Sequence, residues 1–225
     1  MVMAGTLYLV ATPIGNLDDI SARALKLLTA SSAVICEDTR VTKKLLNHYG
    51  INKPLLSWHH HSSAGKTEEI IKRLQAGDIL SYASDAGTPG IADPGGQLVA
   101  AATAQGLKVI PIPGPSAVTT ILSVCGFNTQ SYIFLGWPPH KKGRQTFFKE
   151  LKNYSSVIVF FESTHRIIKA LTALQEIMPD RQLVVGRELT KMFETIYRGS
   201  AAAIIEQLKN SSTKGEFVIV IEGNH

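Results

Sequence analysis

One segment of the chain, residues 84–96, combines residue types that bind a ligand through backbone amides and a carboxylate. It contains four glycines, two prolines and two aspartates, and it directly follows the apolar run 79–83. The prolines fix φ, whereas the glycines allow positive φ and close approach. A strand that ends in such a loop brings N–H groups and a carboxylate to a sheet edge, where α/β proteins bind ligands. We interpret residues 84–96 as one wall of a binding site.

Two further loops have a similar composition and also follow apolar runs. Residues 12–16 read Thr-Pro-Ile-Gly-Asn, which taken alone favours a simple turn before a helix cap. Residues 111–117 read Pro-Ile-Pro-Gly-Pro-Ser-Ala, where Ser116 suits a helix N-cap without any ligand. The same helix N-terminus also suits the polar end of a cofactor. Because loops after parallel strands project from one edge of a sheet, the three together predict a crevice.

A basic segment, residues 137–144, places one tryptophan next to three cations, which are Lys141, Lys142 and Arg144. Cations bind RNA phosphates, and an aromatic ring stacks on an unpaired base. The alternative is an exposed basic loop at the start of a helix. The formal net charge of +5 favours a polyanionic partner without requiring one.

Three consecutive histidines at positions 59–61 suggest a metal site. Consecutive residues of a strand or loop point in different directions, so the three cannot all face one ion. We therefore predict no metal and interpret the histidines as a polar loop, for which RNA contact stays an alternative.

The composition is that of a soluble globular protein, with 44% hydrophobic and 18% charged residues among 225. The two cysteines, Cys36 and Cys125, have apolar or small neighbours, which indicates buried reduced thiols. No run approaches the roughly 18 apolar residues of a membrane span, and the N-terminal residues do not resemble a signal peptide. We expect a cytoplasmic protein with no membrane contact.

Short apolar runs alternate with helical periodicity as far as residue 122, which predicts an α/β fold. The expected first domain, residues 1–125, has a mostly parallel sheet with helices on both faces. A polar segment, 126–131, marks the boundary. The second domain, residues 126–225, has strands joined by shorter connections, which predicts a mixed sheet with helices.

Six ordered blocks resemble the tetrapyrrole-methylase superfamily, and they cover nearly the whole chain. The blocks are residues 7–16, 37–40, 84–95, 113–117, 162–166 and 186–191. More narrowly they resemble its ribosomal branch, the small-subunit (16S) ribosomal RNA cytidine 2′-O-methyltransferases. Members that methylate tetrapyrrole carbons usually carry a Gly-Pro-Gly-Asp-Pro type of loop after the first strand, whereas this chain has Thr-Pro-Ile-Gly-Asn there.

The resemblance implies that S-adenosylmethionine binds in a cleft between the two domains. The residues that it implies for the cofactor are Pro13, Asp85, Ala86, Gly87, Thr88, Ile91, Ser116, Ala117, Glu162 and Leu189. It also implies a homodimer. Many relatives continue past the last strand with a helical segment, so the RNA affinity of a chain ending at residue 225 is left open.

Methyl transfer from a sulfonium to a ribose hydroxyl needs alignment, exclusion of water and a proton acceptor, but no metal. Candidate acceptors or orienting groups are Glu37, Asp38, Glu188 and Glu194. Candidate cations that hold phosphate or tune a neighbouring pKa are Arg40, Arg166, Arg187 and Lys191. Each of these residues could equally form a structural ion pair, and the sequence does not single out the base.

The sequence leaves three candidate functions. The first is methylation of a cytidine 2′-hydroxyl in 16S ribosomal RNA, with the RNA or the small ribosomal subunit as partner. The RNA contacts expected in that case are Lys141, Lys142, Arg144 and Arg166. The second is methylation of a tetrapyrrole or another small molecule. The third is a non-catalytic RNA-binding module, which would have no need of three Gly/Pro loops at one crevice.

Overall fold

The computed structural model describes residues 4–224, which divide into two compact units between Ser116 and Ala117. The sequence places the domain boundary nine residues later, after Cys125. The difference is one helix, residues 117–125, which packs on the sheet of the second unit.

The first unit is built on a five-stranded sheet whose order is β3-β2-β4-β1-β5. Every strand pair in this sheet is parallel. The strands are β1 (Thr6–Val10), β2 (Ala33–Cys36), β3 (Leu55–Ser57), β4 (Ile79–Ala83) and β5 (Lys108–Ile112). The three central strands carry continuous apolar runs because helices cover both of their faces.

Helices pack on both faces of this sheet, and each face has its own apolar core. One core contains Leu74 and Leu98, and the other contains Leu28 and Leu46. The helices are α1 (Ala22–Ala30), α2 (Thr39–His48), α3 (Ala64–Gln75) and α4 (Gly95–Ala104), with a short 3-10 turn at Leu17–Asp19. The mostly parallel sheet that the sequence predicts, with helices on both faces, is confirmed.

The second unit has a mixed sheet of order β6-β7-β10-β8-β9. Strands β6 and β7 are parallel, and the other three pairs are antiparallel. The strands are β6 (Tyr132–Phe134), β7 (Val157–Ser163), β8 (Leu183–Arg187), β9 (Thr195–Gly199) and β10 (Glu216–Ile221). The predicted mixed sheet is therefore confirmed as well.

The helices of the second unit are α5 (Ala117–Cys125), α6 (Arg144–Leu151), α7 (Ile167–Ile177) and α8 (Ala201–Lys209). Residues of α6, α7 and α8 share one core with alternate residues of β7, β8 and β10. Helix α5 packs on β8 and β10. Gly186 permits this packing, because a Cβ atom there would lie 2.8 Å from Ile121 Cδ1.

Strands β3 and β6 and the start of helix α7 are among the features that differ from the sequence-based expectation. Strands β3 and β6 have three residues each, too short for a period of two to show in the sequence. Helix α7 begins at Ile167, whereas the apolar spacing predicts a start at Thr164. Both cysteines are buried, as expected. Among residues 4–224, no helix has the length and apolar character that crossing a membrane requires.

Candidate functional site

The loops that follow β1 and β4 are joined by a short two-residue ladder. The amide of Thr12 donates to the carbonyl of Gly87 at 3.0 Å, and the amide of Gly87 donates back to Thr12 at 3.1 Å. The Thr12 hydroxyl donates to the Ser84 carbonyl at 3.0 Å, and the Ser84 hydroxyl donates to the Gly87 carbonyl at 2.7 Å. The first three bonds hold the two loops together at the carboxyl edge of the sheet, and the fourth fixes the turn within residues 84–96.

The loop after β5 joins the same edge. The Thr88 hydroxyl donates to the Pro115 carbonyl at 2.9 Å, which ties residues 84–96 to the third loop. Gly114 lies so close to the start of the first loop that a Cβ atom there would come within 2.9 Å of the Cβ of Ala11, which directly precedes that loop. The three loops that the sequence singles out therefore meet within the first unit.

Gly87 is the position where this arrangement requires glycine. Its φ is +87°, and an added Cβ would lie 3.3 Å from Ile14 Cγ2. Pro13 is buried, whereas Asp85, Ala86 and Ile91 are exposed. The structure thus places together the five residues of the first two loops that the family resemblance implies for the cofactor, with Thr88 beside them.

The Asp93 side chain stabilises the loop of residues 84–96 by accepting hydrogen bonds from backbone amides of that loop. Its carboxylate accepts from the amide of Gly90 at 2.9 Å and from the amide of Gly95 at 2.6 Å. A side chain at position 95 would collide with both Asp93 and Tyr82. Sequence reasoning did not assign Asp93 a role, although an aspartate two residues before a glycine is a known turn signal.

Carboxylates and a tyrosine cluster at the carboxyl ends of β2 and β4. Burial raises the pKa of Glu37 to about 7, and the nearby carboxylates of Asp93 and Asp85 act in the same direction. Burial also raises the pKa of Asp85, with Asp38 and Asp93 adding to the effect. The Tyr82 hydroxyl lies 3.5 Å from Asp93 Oδ1 and close to Glu37. This edge therefore carries an excess of negative charge.

Asp38 has a different role from its neighbour Glu37. Its side chain caps α2 by accepting from the Arg40 amide at 2.8 Å, and it also binds the Arg40 guanidinium at 2.6 Å. The hydrogen bonds from Arg40 lower the pKa of Asp38 to about 2. The Asp38 amide donates to Asp85 Oδ1 at 3.2 Å, which ties the end of β2 to the loop after β4.

In the second unit, Glu162 is fully buried and lies between two arginines. Arg144 Nη2 is 2.6 Å from Glu162 Oε2, and Arg166 Nε is 3.0 Å from Glu162 Oε1. The Ser163 amide also donates to Oε1 at 2.7 Å. The candidate cofactor residue Glu162 and two candidate RNA contacts, Arg144 and Arg166, therefore form one ion-pair network, which we call the Glu162 triad.

The candidates in segment 186–191 form a second network. Lys191 Nζ binds both Glu188 Oε1 and Glu216 Oε2, each at 2.9 Å. Burial opposes ionisation of both partners, but their hydrogen bonds outweigh it, so the pKa of Glu188 is lowered and that of Lys191 is raised. Glu188 and Thr190 adopt positive φ, and Leu189 between them is buried over Gly186.

The histidine segment is held by bonds of its own. The His61 amide donates to His59 Nδ1 at 3.2 Å, and His60 Nδ1 lies 3.3 Å from Gln97 Nε2. Within the described part of the chain, no three His, Cys, Asp or Glu side chains are grouped so that they could hold a metal ion.

Comparisons with known proteins agree on one family. The model of the tetrapyrrole (corrin/porphyrin) methylases matches residues 6–205. A ribosomal RNA small subunit methyltransferase I of Xylella fastidiosa is 45% identical over 97% of this chain and 82% of its own length. The protein of that name from Thermotoga maritima is 42% identical over 97% of this chain and 99% of its own length.

Solved structures show the same fold at low sequence identity. A cobalt precorrin-4 methyltransferase of cobalamin biosynthesis superposes with a TM-score of 0.72 at 16% identity, over 96% of this chain and 94% of that one. A diphthine synthase superposes with a TM-score of 0.69 at 15% identity, over 97% and 90%. The chain belongs to the tetrapyrrole (corrin/porphyrin) methylase family and, within it, to the ribosomal RNA small subunit methyltransferase I group.

Proposed function

We propose that this chain transfers a methyl group from S-adenosylmethionine to the 2′-hydroxyl of a cytidine in 16S ribosomal RNA. The names of its relatives at 42% and 45% identity support the ribosomal RNA of the small subunit as substrate. The single observation that carries the proposal is the set of three Gly/Pro loops joined at one carboxyl edge beside uncompensated carboxylates.

The residues of that edge fit S-adenosylmethionine. The molecule carries a positive sulfonium, an ammonium and one carboxylate, so its net charge is positive, and the two cationic groups suit the carboxylates of Glu37 and Asp85. A Cβ atom at Gly87 would lie 3.3 Å from Ile14 Cγ2 and 3.7 Å from the Pro115 carbonyl, so glycine keeps the three loops closely packed at this edge. In the proposal the first unit holds the cofactor through Pro13, Asp85, Ala86, Gly87, Thr88, Ile91 and Ser116.

The side chains of the second-unit residues Ala117, Glu162 and Leu189 are less available to contact a cofactor. Glu162 already binds two arginines, and Leu189 is buried over Gly186. Ala117 is the first residue of helix α5, where backbone amides rather than its methyl group would meet a ligand. We therefore assign Glu162 to the Glu162 triad and not to the cofactor.

When bound, S-adenosylmethionine supplies an electrophilic methyl group. The chain must align the ribose hydroxyl with it, exclude water and accept the hydroxyl proton. Glu37 fits the acceptor best, because an acceptor works best with a pKa near the operating pH and that of Glu37 is about 7. Asp38 and Glu188 have pKa values lowered by cationic partners and are weaker bases.

Exposed cations of the second unit provide the RNA contact in this proposal. Lys141 and Lys142 are exposed, whereas Arg144 and Arg166 are mostly covered and bound to Glu162. The two lysines are thus assigned to phosphate. The protein is further proposed to act in the cytoplasm on the small subunit. It is also proposed to be a homodimer, which sedimentation equilibrium would test.

The deciding experiment incubates the protein with methyl-labelled S-adenosylmethionine and small ribosomal subunits that lack the modification. Label at the 2′-oxygen of one cytidine is the expected result. Asp85→Ala should abolish it, and Glu68→Ala, on the outer face of α3, should not. Labelling of a tetrapyrrole in place of RNA would contradict the proposed substrate, and absence of bound S-adenosylmethionine would contradict the enzyme class.

A further inference from the structure

Trp137 presents a large aromatic surface in the second unit. It is 45% exposed, whereas the other tryptophan of the chain, Trp58, is 2% exposed. One side of the Trp137 ring packs on Phe161, with 5.3 Å between ring centroids, and Phe161 packs in turn on Phe134 at 4.9 Å. The indole is therefore supported from behind while much of its surface faces solvent.

The backbone on either side of this ring is fixed in place. Gly136 and Gly143, which flank residues 137–142, both have positive φ, so the chain turns sharply at both ends of the segment. The carbonyl of Gly136 accepts from the Phe161 amide at 2.8 Å, and the carbonyl of Lys141 accepts from the Arg144 amide at 3.2 Å. We call residues 137–142 the platform loop.

The Glu162 triad braces the platform loop from below. Arg144 reaches the Pro139 carbonyl at 3.4 Å, and Arg166 reaches the Pro138 carbonyl at 3.5 Å, while both arginines stay bound to Glu162. Arg144 also lies over the Phe148 ring at 5.0 Å. A buried carboxylate thus orients two guanidinium groups whose remaining donors hold consecutive carbonyls next to Trp137.

The exposed side of the platform loop is positively charged. His140, Lys141 and Lys142 are all exposed there, within five residues of Trp137. An exposed aromatic ring beside exposed cations matches single-stranded RNA, in which unpaired bases stack on rings and phosphates bind cations. A double-stranded helix keeps its bases stacked on each other and has none to offer the ring.

We propose that Trp137 stacks on an unpaired base of the RNA substrate while Lys141 and Lys142 bind the adjoining phosphates. In this arrangement Glu162, Arg144 and Arg166 are positioning residues that hold the platform loop. The inference rests on the proposed function and adds to it the class of RNA that the second unit recognises, a single-stranded segment.

The protein's own fluorescence gives a direct test. Stacking on a base quenches an exposed indole, so a short single-stranded RNA should quench Trp137 and leave the buried Trp58 unaffected. Trp137→Phe should lose the quenching and keep most of the affinity, since phenylalanine also stacks. Trp137→Ala should weaken binding about ten-fold without changing its dependence on salt.

The lysines should show the opposite pattern. Lys141→Gln with Lys142→Gln should reduce the slope of log affinity against log salt by about 1.4, or about 0.7 for each phosphate contact on a single strand. The matched control for Trp137→Ala is Tyr132→Ala. Tyr132 lies five residues earlier in the chain, and its ring is also 45% exposed. Tyr132→Ala should change neither the RNA affinity nor its dependence on salt.

Failure of this inference is distinguishable from failure of the proposed function. Methylation of small subunits by the wild-type protein with unchanged RNA affinity in Trp137→Ala would overturn the platform alone. Equal quenching by duplex RNA, or quenching that rises with protein concentration without RNA, would also overturn it. No methylation of any RNA by the wild-type protein would contradict the proposed function, whatever Trp137 does.

Discussion

The loops of the first unit and those of the second are stabilised in opposite ways. In the first unit, backbone groups and hydroxyls hold the loops, as in the Thr12–Gly87 ladder and the bond from Thr88 to Pro115. The carboxylates there face one another and have few cationic partners. In the second unit a buried carboxylate, Glu162, and its two arginines hold the loop, and exposed lysines remain at the surface.

This difference assigns different ligands to the two units. A small site made of backbone and excess negative charge suits a small cation, because close approach and unshielded carboxylates both favour it. The platform loop, with its exposed lysines, suits a polyanion. A polyanion binds through cations that are not already paired with a carboxylate of the protein. Substitutions should therefore be able to disable the two units separately.

Gly87→Val should have the largest effect on the first unit. The residue combines a φ of +87° with a neighbour 3.3 Å from any added Cβ, and valine tolerates neither. We expect S-adenosylmethionine affinity to fall by more than about 100-fold, since a misplaced loop loses several contacts together. Calorimetric titration measures this directly, and RNA affinity should be unchanged.

Gly50→Val provides the matched control, because Gly50 has a similar φ of +66° but nothing within 4 Å of an added Cβ. It should cost stability without loss of S-adenosylmethionine affinity. Equal affinity losses in the two variants would mean that backbone strain, and not the position of Gly87 at the ligand edge, is responsible.

Glu162→Gln should have a large effect on the second unit. Removal of the charge leaves two largely buried arginines without a counterion, and breaking a buried pair of this kind costs about 3 kcal/mol. The free energy of unfolding from urea titration and the RNA affinity should both fall. Affinity for S-adenosylmethionine should stay the same.

The control for this change is Glu206→Gln, which breaks an exposed pair with Lys209 and should have almost no effect. The experiment also separates two assignments of Glu162. A selective loss of S-adenosylmethionine affinity, with stability and RNA affinity preserved, would support the cofactor role that the family resemblance implies and contradict the positioning role.

Sequence patterns predict the loops well because the chemistry lies in contiguous residues. Residues 12–16 and 84–96 each have a local composition that marks a special turn, and the parallel sheet places them at one edge. Contacts that depend on the order of strands in the sheet cannot be predicted in this way. Tyr82 approaches Glu37 because β2 and β4 are neighbours, and Arg144 reaches Glu162 across 18 residues, so neither pairing has a local signal.

Asp85→Asn should have an intermediate effect on the first unit. The change keeps the shape and the hydrogen bond from the Asp38 amide but removes one negative charge from the cluster. We expect S-adenosylmethionine to bind about ten-fold more weakly, since a charge-assisted contact contributes about 1.5 kcal/mol or more. Sinefungin, which carries an ammonium in place of the sulfonium, should show a similar loss, whereas adenosine should bind both proteins equally.

Glu37→Gln should have the smallest effect on stability, and the size of that effect depends on pH, whereas methylation should fall because the proposed proton acceptor is removed. The pKa of Glu37 is about 7 in the folded protein against an ordinary value near 4.5, so folding favours the protonated form. This carboxyl therefore costs stability as pH rises from about 4.5, and the cost is complete above about pH 7. Glutamine, which never ionises, removes that cost.

The expected gain at about pH 8 is about 1 kcal/mol, well below the value that the full shift implies, because the side chain is only partly buried and water screens it. That gain corresponds to a rise in Tm of about 2–4 °C, with no rise at about pH 4.5. Glu68→Gln is the control, since its pKa is lowered by Lys72 and its loss should not stabilise the protein at high pH. An equal rise in Tm at both pH values would show that Glu37 is not strained by its acidic neighbours, and the first unit would lose the uncompensated charge that distinguishes it from the second.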